Sequence, residues 1–259
     1  QMSIFRRFLI VILVMCFLTG VGMVLWPTIH NIIFDISMKQ TVEAFQSQTA
    51  TPHPTQPPII ENTPVDEIPI ETLPDTYTDL WIAMKAYNNT LYESGQENLK
   101  SLSAVEQSCF KLADYGAESE VFGVISVPRL NLEMPIYLGA SEKNMSLGAA
   151  QMGQTSIPIG GKNTNCVIAG HRGWGGADYF RYITELEPGD EIQITNLWET
   201  LHYRVTEQKI IMPYDVDAIH IQPDKDMITL LTCHPYASGG RYRFLVFCER
   251  VEGSSVYVG

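Results

Sequence analysis

From Phe8 to Trp26 the chain runs for 19 residues without a charged side chain. As a helix rising 1.5 Å per residue this stretch spans about 28 Å, close to the roughly 30 Å hydrocarbon core of a bilayer. Lipid offers no partner for backbone N–H and C=O groups, so such a run crosses a membrane only as a helix that pairs them internally. Arg6 and Arg7 stand immediately before it and few positive charges follow closely, which places the N-terminus on the cytoplasmic side. A cleavable signal peptide is the rival reading. Its apolar core would be unusually long, and Trp26-Pro27 is not a small-residue cleavage site. An uncleaved signal anchor over residues 1–27 is therefore expected, with translation starting at Met2.

Residues 28–78 change character partway. Ile32, Ile33, Ile36, Val42 and Phe45 recur at helical spacing and predict a juxtamembrane helix. Pro52, Pro54, Pro57, Pro58, Pro64, Pro69 and Pro74 then fall among Thr, Gln and Glu. That composition has too little apolar surface to fold, and predicts a linker letting the rest of the chain stand off the membrane. Residues 79–120 read as a helical preface. One helix covers Asp79 to Glu93, capped by Thr78 or Asp79, with Leu80, Met84, Tyr87 and Leu91 on one face; a second covers Ser103 to Ala113. From Val121 the period changes to strands, including Glu191–Thr195, Leu201–Val205, Lys209–Met212, Ile228–Cys233 and Tyr242–Arg250. The main unit is residues 121–252, mostly β and closed into a barrel, with 253–259 as a tail.

The chemistry concentrates in that unit. Thr229-Leu230-Leu231-Thr232-Cys233 is a short β-prone run that ends in a thiol and breaks at His234-Pro235. A buried strand ending at a turn holds a nucleophile rigidly at the mouth of a cleft. His171 follows the apolar run Cys166-Val167-Ile168 within Ala169-Gly170-His171-Arg172-Gly173, and Arg243 opens a third strand-like run. Thiolate, imidazole and guanidinium at three strand ends form an acyl-transfer set: attack on a carbonyl, proton exchange with amines, and support for an oxyanion. By the two-residue period of a strand, Arg241 and Arg243 share a face and compete for the last role. His234 points away from the Cys233 side and reads as a rim residue. Trp174 and Tyr179 contact a partner or pack the loop after His171.

In order and spacing these segments resemble the sortases, cysteine transpeptidases of Gram-positive cell surfaces. The resemblance runs from Phe122 to Val251. Phe122–Leu130 resembles the first barrel strand and its turn, and Met134–Tyr137 the second. Pro158–Gly161 and Ala169–Gly173 resemble the approach to the catalytic histidine, Thr229–Cys233 the signature, and Arg243–Val246 the arginine strand. It implies a sortase-type β-barrel in which His171, Cys233 and Arg243 are catalytic, while Thr232 and, less directly, Arg241 serve substrate binding. It implies a substrate of Leu-Pro-x-Thr-Gly type cut between Thr and Gly through a thioacyl-enzyme, then transfer to an amine. The short Ile210–Met227 connection resembles class C, the pilin-polymerising sortases, whose amine is a pilin lysine. An anchoring sortase would use a cell-wall precursor amine instead. Partners are thus sorting-signal proteins and an amine acceptor, with the catalytic domain outside a single-pass membrane anchor. The class C lid tripeptide, Asp-Pro-aromatic, is not found in this sequence.

Other classes are weighed on the same residues. A net charge of −12 and no basic stripe argue against a nucleic-acid partner. The cysteines lack the tight paired spacing of zinc sites, so no metal or cofactor is expected, and Cys109, Cys166 and Cys248 default to buried free thiols. A catalytically idle surface or pilus-base scaffold would need no reactive thiol, and a cysteine protease would pass the acyl group to water. Leu73-Pro74-Asp75-Thr76 is itself a Leu-Pro-x-Thr sequence upstream of the barrel, a candidate tethered pseudosubstrate through Leu73, Pro74 and Thr76.

Overall fold

A computed structural model describes residues 4–49, 77–175, 177–251 and 256–257. The first element, α1 (Ile4–Thr49), is one helix of 46 residues with Pro27 inside it. Its N-terminal part exposes a continuous apolar surface, from Phe5 to Trp26. Its C-terminal part lies on the barrel: Phe34 packs against the main core, and Met38, Val42 and Phe45 are buried. These four residues fall at spacings of four, four and three, a single apolar stripe. Ile32, Ile33 and Ile36, which share the helical spacing, are exposed.

The helix leaving the apolar run is already seated on the barrel, and α2 (Thr78–Glu93) is seated there too. The Pro-rich segment lies between these two docked elements, mostly outside the described residues. Leu80, Met84 and Leu91 are buried on α2 as its pattern predicts. The cap differs: Tyr77, at φ 60°, precedes the helix and no side chain caps it. The helix expected over Ser103–Ala113 is only a short turn, α3 (Leu102–Glu106), followed by a 3₁₀ turn at Leu112–Tyr115.

The barrel is built from β1 (Val121–Val127), β2 (Leu132–Leu138), β3 (Ala149–Gln151) and β4 (Thr164–Ala169). A short helix, α4 (Glu142–Leu147), joins β2 to β3, and a small hairpin of β5 (Arg172–Trp174) and β6 (Ala177–Tyr179) follows β4. Then come β7 (Glu191–Asn196), β8 (Glu199–Ile211), β9 (Asp226–His234) and β10 (Tyr242–Arg250). The order β10-β9-β4-β3-β2-β1-β7-β8 is closed by pairing of β10 with β8, and β11 (Val256–Tyr257) adds to the far edge of β8. Closure leaves the eight main strands without a long free edge.

The two strands expected at Leu201–Val205 and Lys209–Met212 are one strand, β8, of 13 residues. Thr206-Glu207-Gln208-Lys209 interrupts the apolar alternation because this half of β8 faces outward. A bulge opposite Phe247 and Cys248 absorbs the extra residue. At the end of β9 remote from Cys233, the Asp226 carboxylate accepts from Gly161 N (2.8 Å) and Tyr203 Oη (3.1 Å), with Arg250 Nη1 at 3.8 Å. Lys85 on α2 donates to Gly160 O nearby (2.8 Å), fastening the helical preface to that end.

Candidate active site

Two strand pairings bring the expected chemistry into one row. β4 and β9 are parallel, with Ala169 opposite Leu231, and Gly170 N bonds Leu231 O at 3.0 Å. Counting on by two residues puts His171 level with Cys233. β9 and β10 are antiparallel, with Cys233 opposite Arg243. Cys233 and Arg243 are therefore cross-strand partners, and His171 follows the end of β4, the strand on the other side of the thiol strand. Arg241 precedes β10 and is exposed. Thr232 is buried and its hydroxyl donates to Gly170 O (2.8 Å), tying the histidine strand to the cysteine strand rather than lining open surface. Leu73, Pro74 and Thr76 lie outside the described residues.

Glycine makes the close approaches. A Cβ at Gly170 would come within 2.5 Å of the Phe180 ring, so only glycine lets the backbone pass into His171. Gly240 has φ 79°, and a Cβ there would lie 3.1 Å from Arg243 Nη1 and 3.4 Å from Cys233 Sγ. Its carbonyl accepts from Arg243 Nη1 at 2.7 Å. Gly240 thus holds the guanidinium beside the thiol while leaving the space between them open. The sequence reading missed it; the Ser238-Gly239-Gly240 turn before the arginine strand was the available signal.

The His171 ring is held by aromatics. Trp174 stacks on it at 4.9 Å and 17°, and Tyr179 meets it edge-on at 5.5 Å and 88°. Burial pushes its pKa below the ordinary imidazole value, while the Glu142 carboxylate pulls the other way. A cleft of about 530 Å³ opens beside it, lined by Glu142, Lys143, Ser146, His171 and Trp174. Glu142 was not singled out from sequence, because nothing local links α4 to a residue across the barrel mouth.

The next row is differently employed. Arg172 Nη1 bonds His234 Nδ1, and Arg172 Nη2 donates to Thr184 Oγ1 at 3.4 Å. Burial and the neighbouring Arg172 charge both push His234 below its ordinary value. Arg172 is itself lowered by burial, against an opposing pull from Cys233. Among the remaining thiols, Cys166 and Cys248 are buried and pushed up by desolvation, whereas Cys109 is exposed.

The comparisons with known proteins point to one family. The sortase-domain family profile matches residues 125–251. Sortase D of Bacillus subtilis (strain 168) is 25% identical over 158 residues, covering 60% of this chain and 77% of that protein. Sortase A of Bacillus anthracis is 30% identical over 146 residues, covering 55% of this chain and 67% of that protein. Among solved structures, the pilus-related sortase C of Group B Streptococcus is similar with a TM-score of 0.60 and 31% identity, covering 70% of this chain and 93% of that one. Barrel topology, thiol strand and family match converge, and the chain belongs to the sortase family of cysteine transpeptidases.

Proposed function

We propose that Cys233 is the nucleophile, His171 the proton carrier and Arg243 the oxyanion support in transfer of a Leu-Pro-x-Thr-Gly-type sorting signal. The observation that carries this reading is the register: Cys233 pairs with Arg243 across β9 and β10, and β4, parallel to β9 as far as Ala169–Leu231, runs on to His171 two residues later. The Cys233 thiolate adds to the Thr carbonyl carbon and Arg243 faces the resulting oxyanion. The C–N bond to glycine breaks as the His171 imidazolium gives its proton to the departing amine. An acceptor amine then adds to the thioester, His171 takes its proton, and the thiolate leaves. Arg243 is preferred to Arg241 because it is the strand partner of Cys233. Thr232 supports the site by joining its two strands.

The acceptor we favour is a pilin lysine, giving a covalent pilus polymer, in line with the likeness to the pilus-related sortase C. The sequence likeness to proteins named sortase A and sortase D favours a second reading, a cell-wall precursor amine. In both, the exposed apolar part of α1 sits in the membrane and the barrel lies on the outer face. Incubating the full chain with a Leu-Pro-x-Thr-Gly peptide should add an acyl mass to Cys233 that is absent in Cys233→Ala. Discharge by a lysine-bearing pilin peptide supports pilus assembly, and discharge only by a wall-precursor amine supports anchoring. A folded protein with no adduct on any sorting-signal variant would leave the idle-scaffold reading. If Leu73–Thr76 competes for the groove, Leu73→Ala with Pro74→Ala raises peptide turnover; unchanged kinetics removes that idea.

A further inference from the structure

The segment that emerges from the apolar half of α1 reaches the active site through one aromatic chain. Phe34 lies 4.2 Å from the Tyr179 ring, centroid to centroid. Tyr179 lies edge-on to His171 at 5.5 Å, and Trp174 covers the imidazole from another side. Tyr179 is not free to move elsewhere. Its hydroxyl donates to Ser146 O at 2.8 Å, and its backbone holds φ 44°, a conformation that bulky residues rarely adopt and that surrounding contacts must maintain. The same helix turn touches the hairpin again: a Cβ on Gly175 would meet the His30 ring at 3.2 Å.

We propose that Phe34 and Tyr179 are positioning residues for His171, so that the helix continuing from the membrane-spanning run is a working part of the active site. Phe34 backs Tyr179, Tyr179 sets the edge against which the imidazole rests, and Trp174 closes the opposite face. Proton transfer demands that the imidazole lie within hydrogen-bond reach of the amine it serves, and small displacements are costly. Met38 provides the internal comparison. It is buried one helical turn further along, in the same barrel core, and carries no aromatic ring to set against Tyr179.

This inference rests on His171 being the proton carrier, and the experiment separates the two. The full chain is placed in lipid nanodiscs and assayed for transfer of a Leu-Pro-x-Thr-Gly peptide to a lysine peptide. Parallel variants are Phe34→Leu, Phe34→Tyr, Met38→Ala and His171→Ala. Phe34→Leu keeps the apolar anchor on the barrel and removes the ring. It should lower kcat about tenfold with KM within about twofold. Phe34→Tyr should restore kcat, and Met38→Ala should keep it despite lower thermal stability. The His171 imidazole proton signals, displaced by the surrounding ring currents, should shift in Phe34→Leu and not in Met38→Ala. An unchanged kcat in Phe34→Leu, or an equal loss in Met38→Ala, overturns the positioning role. Transfer that survives His171→Ala overturns the catalytic assignment itself, whatever Phe34 does.

Discussion

Two neighbouring rows of the sheet carry similar side chains and do different things. One holds His171, Cys233 and Arg243; the other, one residue further along, holds Arg172, His234 and Tyr242. In the second row the charges are spent on each other. Arg172 bonds His234 and Thr184, and burial and that cation both push the imidazole below its ordinary value. In the first row Arg243 is anchored through backbone carbonyls of Gly240 and Tyr242, and no carboxylate among the described residues forms an ion pair with it. Among the described residues His171 is held by ring contacts rather than by bonds to its nitrogens. The histidine and arginine proposed as catalytic are thus distinguished from Arg172 and His234 by how they are fixed. Contacts that orient them leave their hydrogen-bonding and charge available.

That contrast can be broken in order of expected effect. Cys233→Ala should abolish thioacyl formation, and His171→Ala should lower transfer about 10⁴-fold or more, whereas His234→Ala should stay within about threefold; steady-state transfer assays compare them. Arg243→Ala should cost about 10²- to 10³-fold in kcat, as for the loss of one oxyanion donor, while Arg241→Ala has little effect. Equal losses at 241 and 243 would reassign the oxyanion role. Gly240→Ala forces a side chain into left-handed backbone and into the gap beside Cys233 Sγ, and should lower kcat about tenfold or more. The smallest effect is a titration. Water admitted by Trp174→Ala relieves the desolvation of the imidazolium, so the His171 midpoint should rise toward the ordinary value. Glu142→Gln removes the carboxylate that favours the charged form, so the midpoint should fall further. NMR titration of the imidazole reads both directions, and movement in the opposite sense would remove burial and Glu142 as the causes.

How much of this was legible in the sequence follows from which contacts are local. Thr229–Cys233 and Tyr242–Arg250 announce themselves through apolar runs and turn residues, and both are strands in the structure. The order of segments resembling a sortase placed the barrel correctly. β8 was read as two strands because its outward-facing half is polar, and alternation is visible only where one side is buried. The docking stripe on α1 was not legible because Ile32, Ile33 and Ile36 obey helical spacing as well as Phe34, Met38 and Val42 do. Periodicity names a face without naming what covers it. Glu142 and the Phe34–Tyr179 contact escaped because each matters through a neighbour distant in sequence, whereas Gly240 acts on Arg243 three residues on.

The parallel pairing of β4 with β9 has a kinetic meaning as well. The bond from Thr232 to Gly170 joins residues 62 apart in sequence, so the histidine strand meets the cysteine strand only after a long loop has closed. Closure entropy is spent before such contacts give anything back, and assembly of this pairing belongs to the slow, late part of folding. On the proposed assignment, a chain that has not yet closed this pairing carries Cys233 with no imidazole level with it, and competence for acyl transfer arrives together with the finished barrel.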